Sequence, residues 1–272
     1  MGLILNTNIP ALQGLASLNQ TYQAIAKINH QMSTGKKVNT AADDPAGVSL
    51  ISKFTSRING MKVAQNNVGN AMDMLNIADG GLKGVSETLQ DIRSLVAQAR
   101  SNTLSTAERD AIQSNVNDLI GQIDDYVGQS TYNGIGLIDG TLDADIHSGP
   151  DAGDITNVSL TQDNSSTGLG IATADVSTAD NASTALTNID AAIATVDGSR
   201  TTLGGVYNAF KAKSNFLDTT ITNLSASRSR IEDLDFAEAQ SQMLKLQTQL
   251  QANMVALSNA IQLPTNILSL LQ

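Results

Sequence analysis

Residues 64–99 read AQNNVGNAMDMLNIADGGLKGVSETLQDIRSLVAQA, and one interval organises them. Ala64, Val68, Ala71, Leu75, Ala78, Leu82, Val85, Leu89, Ile92, Val96 and Ala99 follow at alternating gaps of four and three with no polar residue among them. That spacing is a heptad seam, and Val68, Leu75, Leu82, Leu89 and Val96 are its expected bundle-facing positions. Upstream, Ile51, Phe54, Ile58 and Met61 broaden the stripe, so the helix should meet more than one neighbour. Starting at Pro45, such a helix spans roughly 80 Å at about 1.5 Å per residue. A strict heptad also drifts off one face of a straight helix unless partners supercoil with it. The stretch therefore predicts long partner helices.

Composition narrows the class. The chain has 272 residues, a net charge of -10, 3% aromatic residues, no Trp and no Cys. So few aromatics leave Ala, Leu, Ile and Val to do the packing, which favours helical bundles over a doubly wound sheet or a sandwich. The acidic balance, with no Lys/Arg stripe, argues against nucleic acid as a partner. Without cysteine there are no disulfides or thiolate metal sites. No apolar run has the length of a membrane span, and Met1–Ile9 lacks the basic start of a Sec-type leader, so export would have to leave the N-terminus intact.

Both ends of the chain carry heptads of unusual neutrality. Ala11, Leu15, Leu18, Tyr22, Ile25, Asn29 and Met32 repeat the interval, and Leu12 widens that face. Lys27 is the only charged residue before Ser33, and the outer face is amide and hydroxyl at Gln13, Asn19, Gln20, Gln23 and Gln31. At the other end Phe236, Met243, Leu250, Met254, Leu257 and Ile261 recur, with only Glu238 and Lys245 charged beyond Phe236. A solvated helix normally has a charged outer face, so these two helices are expected to pair with one another and with neighbouring chains. Leu12, Leu15, Leu18, Tyr22, Ile25, Met32, Phe236, Met243, Leu250, Met254, Leu257 and Ile261 are the expected polymerisation interface.

Between the ends, Ser33–Ala42 reads as a connector, and Asp43 or Asp44 with Pro45 opens the long helix. Gly80, Gly81 and Gly84 mark either close helix approach or a weak point. Ser105 and Glu108 form a capping box for a third helix carrying Ile112, Val116, Leu119, Ile123 and Val127, which should turn back on the second. Tyr132-Asn133-Gly134 predicts a turn. Residues 139–180 should hold a small β-hairpin built from Ile155–Leu160 and Leu169–Val176. Asp143, Asp145, Asp151 and Asp154 lack calcium-loop spacing and read as solvated turn residues. A fourth helix carries Leu186, Ile189, Ile193, Val196, Leu203, Phe210 and Leu217. The fold class is thus mainly α: a long antiparallel coiled coil or helical bundle, a small β-hairpin region and paired terminal helices.

Eight stretches in order resemble bacterial flagellin: LNTNIPAL (5–12), MSTGKKVNTAADDPAG (32–47), TLQDIRSLVAQA (88–99), TYNG (131–134), ADVSTADNASTALTNID (174–190), SRTTLGG (199–205), SRIEDLDFAEA (229–239) and LPTNILSLLQ (263–272). The resemblance implies a secreted subunit of the extracellular flagellar filament, serving motility. It implies inner-core helices at 1–33 and 236–272, connectors at 34–43 and 229–235, a bundle domain at 44–138 and 181–228, and a hairpin region at 139–180, with no outer variable domains. Its implied partners are copies of itself, the export apparatus with its chaperone, and the junction and cap proteins. Where flagellins sensed by the animal flagellin receptor usually read Leu-Gln-Arg-x-Arg-Glu-Leu, this chain keeps Arg93 but has Asp91 and Ser94. The receptor surface implied at Leu89, Asp91, Arg93 and Ser94 should therefore be recognised weakly or not at all. Gly81 is a second departure, from the family's usual Ala.

Three other readings compete with a filament subunit. A hook-filament junction protein shares similar ends, but usually not both the 229–236 and 263–271 strings. A soluble coiled-coil adaptor should have charged outer faces on its end helices, which are missing here. An enzyme is disfavoured: His30 and His147 form no His-Glu-x-x-His pattern, so no catalytic, cofactor or metal residues are expected.

Overall fold

The computed structural model describes residues 7–270, with side chains through Gln262. Five helices and two short antiparallel hairpins make up the described residues: α1 (Ile9–Thr34), α2 (Pro45–Ala99), α3 (Thr106–Gln129), β1 (Thr131–Tyr132), β2 (Ile135–Gly136), β3 (Leu142–His147), β4 (Ile155–Leu160), α4 (Ala179–Glu232) and α5 (Phe236–Leu270). Mainly α, with paired terminal helices and a small β region, is what the heptads require. The chain divides into two compact units, one holding the chain up to Ser56 and from Asn223 onward, the other Arg57–Thr222.

In the Arg57–Thr222 unit the heptad of α2 is the core. Val68, Leu75, Leu82, Leu89 and Val96 are all buried, as are Ile58, Met61, Ala64 and Ile92. Both α3 and α4 run antiparallel to it. Arg109 near the start of α3 is buried and donates to the carbonyls of Ala99 and, at 2.7 Å, Ser101, which closes the α2–α3 turn. Ser105 and Glu108 form the capping box: Glu108 N–H donates to Ser105 Oγ and Ser105 N–H to Glu108 Oε2. Ile120, rather than Leu119, is the buried member of the next α3 turn. From α4, Arg200 pairs with Asp79 at 2.9 Å and Arg93 with Asp190 at 2.6 Å, while Gln65 donates to Asp218 at 2.5 Å. These links fix the α2–α4 register.

The glycines of α2 separate by their surroundings. A Cβ on Gly81 would overlap Ser130 Oγ and sit 3.1 Å from Ile138 Cδ1, and one on Gly84 would lie 3.0 Å from the Tyr126 ring. Gly80 has nothing within 4 Å. Close approach thus explains two of the three.

The expected hairpin forms with a different partner strand. Ile155–Leu160 pairs with Leu142–His147, register Leu142↔Leu160 to His147↔Ile155, and Leu169–Val176 is not a strand. Gly170 lies at φ +70°, a turn conformation that breaks extended backbone. Leu169, Ile171 and Val176 are nevertheless buried. Polar ties hold that loop: the fully buried Asn164 donates to the Ile138 carbonyl and accepts from Ser199, Asp124 takes the Ser166 N–H and hydroxyl, and Gln113 brackets Ala174 and Val176. β1 and β2 close on Asn133 (φ +52°) and Gly134 (φ +79°), the double left-handed turn that Asn-Gly favours.

In the other unit, α1 and α5 pair antiparallel. Asn8 caps α1 by accepting from Ala11 N–H and also donates to the Ala260 carbonyl at 2.7 Å. Gly35 ends the helix in the left-handed conformation. The connector is tied down rather than loose: Lys37 N–H donates to Glu232 O, Leu234 N–H to Gly35 O, and Lys36 pairs with Glu232. Asp44 is the cap of α2, taking the Gly47 N–H at 2.9 Å beside Pro45. Asp43 instead accepts from Asn39 and Thr40 and pairs with Lys27 at 2.8 Å. Residues 229–232, expected to belong to a connector, continue α4, where Arg228 and Glu232 pair along the helix.

Candidate interaction surface

The two end helices each carry more apolar surface than one contact can cover. On α1 the residues turned toward α5 are Ala11, Gly14, Leu18, Thr21, Ile25, Ile28 and Met32, again at alternating gaps of three and four. On α5 they are Ala239, Met243, Leu246, Leu250, Asn253, Leu257 and Ala260. Ile28, Ala239 and Met243 form a buried cluster, with Ile25, Met32, Leu234 and Leu246 packed around it. Thr21 is buried and accepts from Asn253 at 3.0 Å while donating to the Ser17 carbonyl, so a polar pair sits satisfied within the seam. Gly14 lets Leu257 approach, its missing Cβ lying 3.2 Å from Leu257 Cδ1.

This corrects the expected register. Ala11, Leu18, Ile25 and Met32 belong to the seam, but Gly14, Thr21 and Ile28 take the alternate places expected for Leu15, Tyr22 and Asn29. On α5 the shared positions are Met243, Leu250 and Leu257. Of the twelve residues assigned to an interchain interface, Leu18, Ile25, Met32, Met243, Leu250 and Leu257 are therefore occupied within the chain.

The remaining six face outward. Leu12, Leu15, Tyr22, Phe236, Met254 and Ile261 are each between 45% and 57% exposed, and Ile9, Leu244 and Val255 are exposed too. Two shallow apolar grooves run through them, one lined by Thr7, Asn8, Ala11, Leu12, Leu15, Leu257 and Ile261, the other by Met254, Leu257, Ser258, Ile261 and Gln262. Monomeric proteins rarely expose contiguous apolar surface of this kind without a partner for it.

On α2, Asp91 and Ser94 are exposed, and Arg93 is held by Asp190, whose hydrogen bond raises the guanidinium pKa further. Leu89 is wholly buried in the bundle seam and is not part of that surface, because its heptad position points it at the core. Among the described residues, no group of His, Asp or Glu side chains is placed to hold a metal, and no helix is long and apolar enough to cross a membrane.

Residues 5–143 match the bacterial flagellin N-terminal helical region and residues 186–271 the bacterial flagellin C-terminal helical region. The chain belongs to the bacterial flagellin family. A flagellin of Halalkalibacterium halodurans is 28% identical over 272 residues, covering 99% of this chain and 100% of that one. A Salmonella typhimurium flagellin is 30% identical over 178 residues, covering 65% of this chain and 35% of the relative. The crystal structure of Bacillus cereus flagellin superposes with a TM-score of 0.51 at 25% identity, over 60% of this chain and 94% of that one. A flagellar hook-associated protein of Vibrio parahaemolyticus shares the fold, with a TM-score of 0.59 at 15% identity over 70% of this chain. As a flagellin, the chain is a structural subunit of the extracellular flagellar filament.

Proposed function

We propose that subunits polymerise through the outward columns of α1 and α5, centred on Leu12, Leu15, Tyr22, Phe236, Met254 and Ile261, and that the chain has no catalytic role. The observation that carries this reading is the split of each end helix into an occupied seam and an exposed apolar flank. Burying apolar surface contributes about 25 cal/mol per Å², so a flank repeated around a helical polymer drives association without any specific ion pair. The near-absence of charge on both helices removes the desolvation cost that charged side chains would impose. These roles assign 1–33 and 236–272 to the inner filament layer and 44–138 with 181–228 to the bundle domain, with 139–180 as its hairpin region.

The export apparatus with its chaperone, and the junction and cap proteins, are the further partners that family membership supports. The receptor surface reduces to Asp91, Arg93 and Ser94, with Arg93 tied to Asp190, so animal recognition is weak.

Leu15→Asp tests the reading, since Leu15 is 46% exposed and its replacement leaves the α1–α5 seam intact. The variant should keep the helicity of the free subunit and fail to sediment as filaments under salt conditions where the unaltered chain polymerises. Normal polymerisation of Leu15→Asp would refute it.

A further inference from the structure

The exposed flank contains one side chain whose chemistry packing leaves unused. The chain has seven methionines. Among the described residues, Met61, Met74 and Met243 are buried and Met32 and Met72 are half-buried, whereas Met254 is 45% exposed. Met254 also lines an open groove with Leu257, Ser258, Ile261 and Gln262, on the exposed side of α5. Thioether oxidation follows access, so this geometry separates Met254 from its siblings.

We propose that Met254 is an oxidation site of the free subunit, and that its sulfoxide blocks polymerisation. The inference rests on the proposal that the flank around Met254 is covered on assembly. The oxidant is of the hydroperoxide class. A sulfur lone pair attacks the terminal peroxide oxygen, the S–O bond forms as the O–O bond breaks, and the departing oxygen takes the proton of the transferred one, leaving as water from hydrogen peroxide or as an alcohol from an organic hydroperoxide. Sulfur loses two electrons and the peroxide gains them. The product replaces a flexible apolar side chain with a strong dipole. In the free subunit that dipole stays hydrated, because Met254 faces solvent. On assembly it would have to be buried in the groove it lines with Leu257, Ser258, Ile261 and Gln262, where the Ser258 hydroxyl and Gln262 amide do not replace a full hydration shell around a strong dipole, so the modified subunit is disfavoured in the polymer by on the order of tenfold or more. Once polymerised, the same burial shields the sulfur, which makes the modification a filter on subunits rather than a cause of filament breakage. Enzymatic reduction of the sulfoxide restores the thioether, so the block is reversible.

The test uses the full-length chain treated with dilute hydrogen peroxide, peptide mass spectrometry to locate the added oxygen, and sedimentation to measure the critical concentration for polymerisation. Among the described methionines, oxygen should appear first at Met254 in free subunits and far more slowly there in filaments. The critical concentration of the oxidised chain should rise by about tenfold or more, and methionine sulfoxide reductases with a dithiol reductant should reverse the rise. For Met254→Leu, whatever critical concentration it starts from, peroxide should leave that value unmoved. First oxidation at Met32 or Met72, or an unchanged critical concentration with Met254 fully oxidised, overturns the proposal. Unoxidised Leu15→Asp separates the two ideas. If it fails to polymerise while the Met254 sulfoxide assembles, the oxidation proposal alone is wrong; if it polymerises normally, the surface assignment falls with it.

Discussion

Gly80 and Gly81 are neighbours in the middle of α2, and replacing each with Ala should move stability in opposite directions. Alanine gains about 1 kcal/mol over glycine in a helix interior, mostly by restricting the unfolded chain. At Gly80 nothing lies within 4 Å of the added methyl, so the gain is kept. At Gly81 the methyl overlaps Ser130 Oγ and comes within 3.0 Å of Ser130 Cβ and 3.1 Å of Ile138 Cδ1. Ser130 can turn away only by giving up its 2.6 Å hydrogen bond to the Tyr126 carbonyl inside a buried site. A stranded buried hydroxyl costs about 1–3 kcal/mol, and Ile138, itself fully buried, has no room to move without a similar overpacking cost of about 1–3 kcal/mol. Against the helix gain, Gly81→Ala should be destabilising by roughly 2 kcal/mol, a fall in melting temperature of roughly 4–8 °C. Gly80→Ala should raise it by about 2–4 °C. Adding Ser130→Ala to Gly81→Ala should recover part of the loss, since the overlapping oxygen is gone. Thermal melts of the unpolymerised chain by circular dichroism provide the comparison. A melting temperature for Gly81→Ala at or above that of Gly80→Ala would show that α2 and Ser130 are not packed as described, and that the departure from the family's usual Ala has no steric cause.

Three further outcomes follow from the same geometry. Leu82→Asp places a carboxylate at a fully buried seam position, at a cost of several kcal/mol against a total domain stability of about 5–15 kcal/mol; circular dichroism should show collapse of the bundle, and a native spectrum with an unchanged melt would exclude Leu82 from the core. Lys27, then Thr40, hold the Asp43 carboxyl well below the usual carboxylate range; because its folded pKa is depressed, its contribution is present above an unfolded pKa of about 3.9 and lost as pH falls below that toward the folded value. Asp43→Asn should therefore flatten that acid limb of the stability profile, and an acid limb identical to that of the unaltered chain would contradict the role given to Asp43. For recognition by the animal receptor, Asp91→Arg should raise the signal in a reporter-cell assay and Asp190→Ala should raise it further by freeing Arg93; a signal from the unaltered chain equal to that of a strongly sensed flagellin would oppose the assignment.

The helical part of this fold is legible in the sequence because its signals are one-dimensional. An unbroken heptad from Ala64 to Ala99 admits no other element, and the Ser105–Glu108 box and the Asp44-Pro45 start are local devices that act wherever they occur. The register of the end helices was not legible. On α1 the stripe is wide enough for two heptads, and Leu15 and Tyr22 look more like seam residues than Gly14 and Thr21 do. What decides between them is the partner: Asn253 reaches Thr21, and Leu257 needs the space at Gly14. The strand partner of Ile155–Leu160 was missed for a related reason. Leu142–His147 carries Asp143 and Asp145, which suit turns, yet Asn157 across the ladder donates to both carboxylates, whereas the more apolar Leu169–Val176 run is drawn inward as a loop by the ties at Asn164 and Gln113. Buried Arg109 left no sequence signal, because its partners are backbone carbonyls at the end of the preceding helix.

A helical reconstruction of the polymer at side-chain resolution bears most directly on the account. Leu12, Leu15, Tyr22, Phe236, Met254 and Ile261 should be buried between subunits, while Ile28, Ala239 and Met243 remain packed together within one chain. Solvent-facing Leu15, Tyr22 and Met254 in the filament, or an α1 whose Ile28 packs against the α5 of a neighbouring subunit, would contradict it.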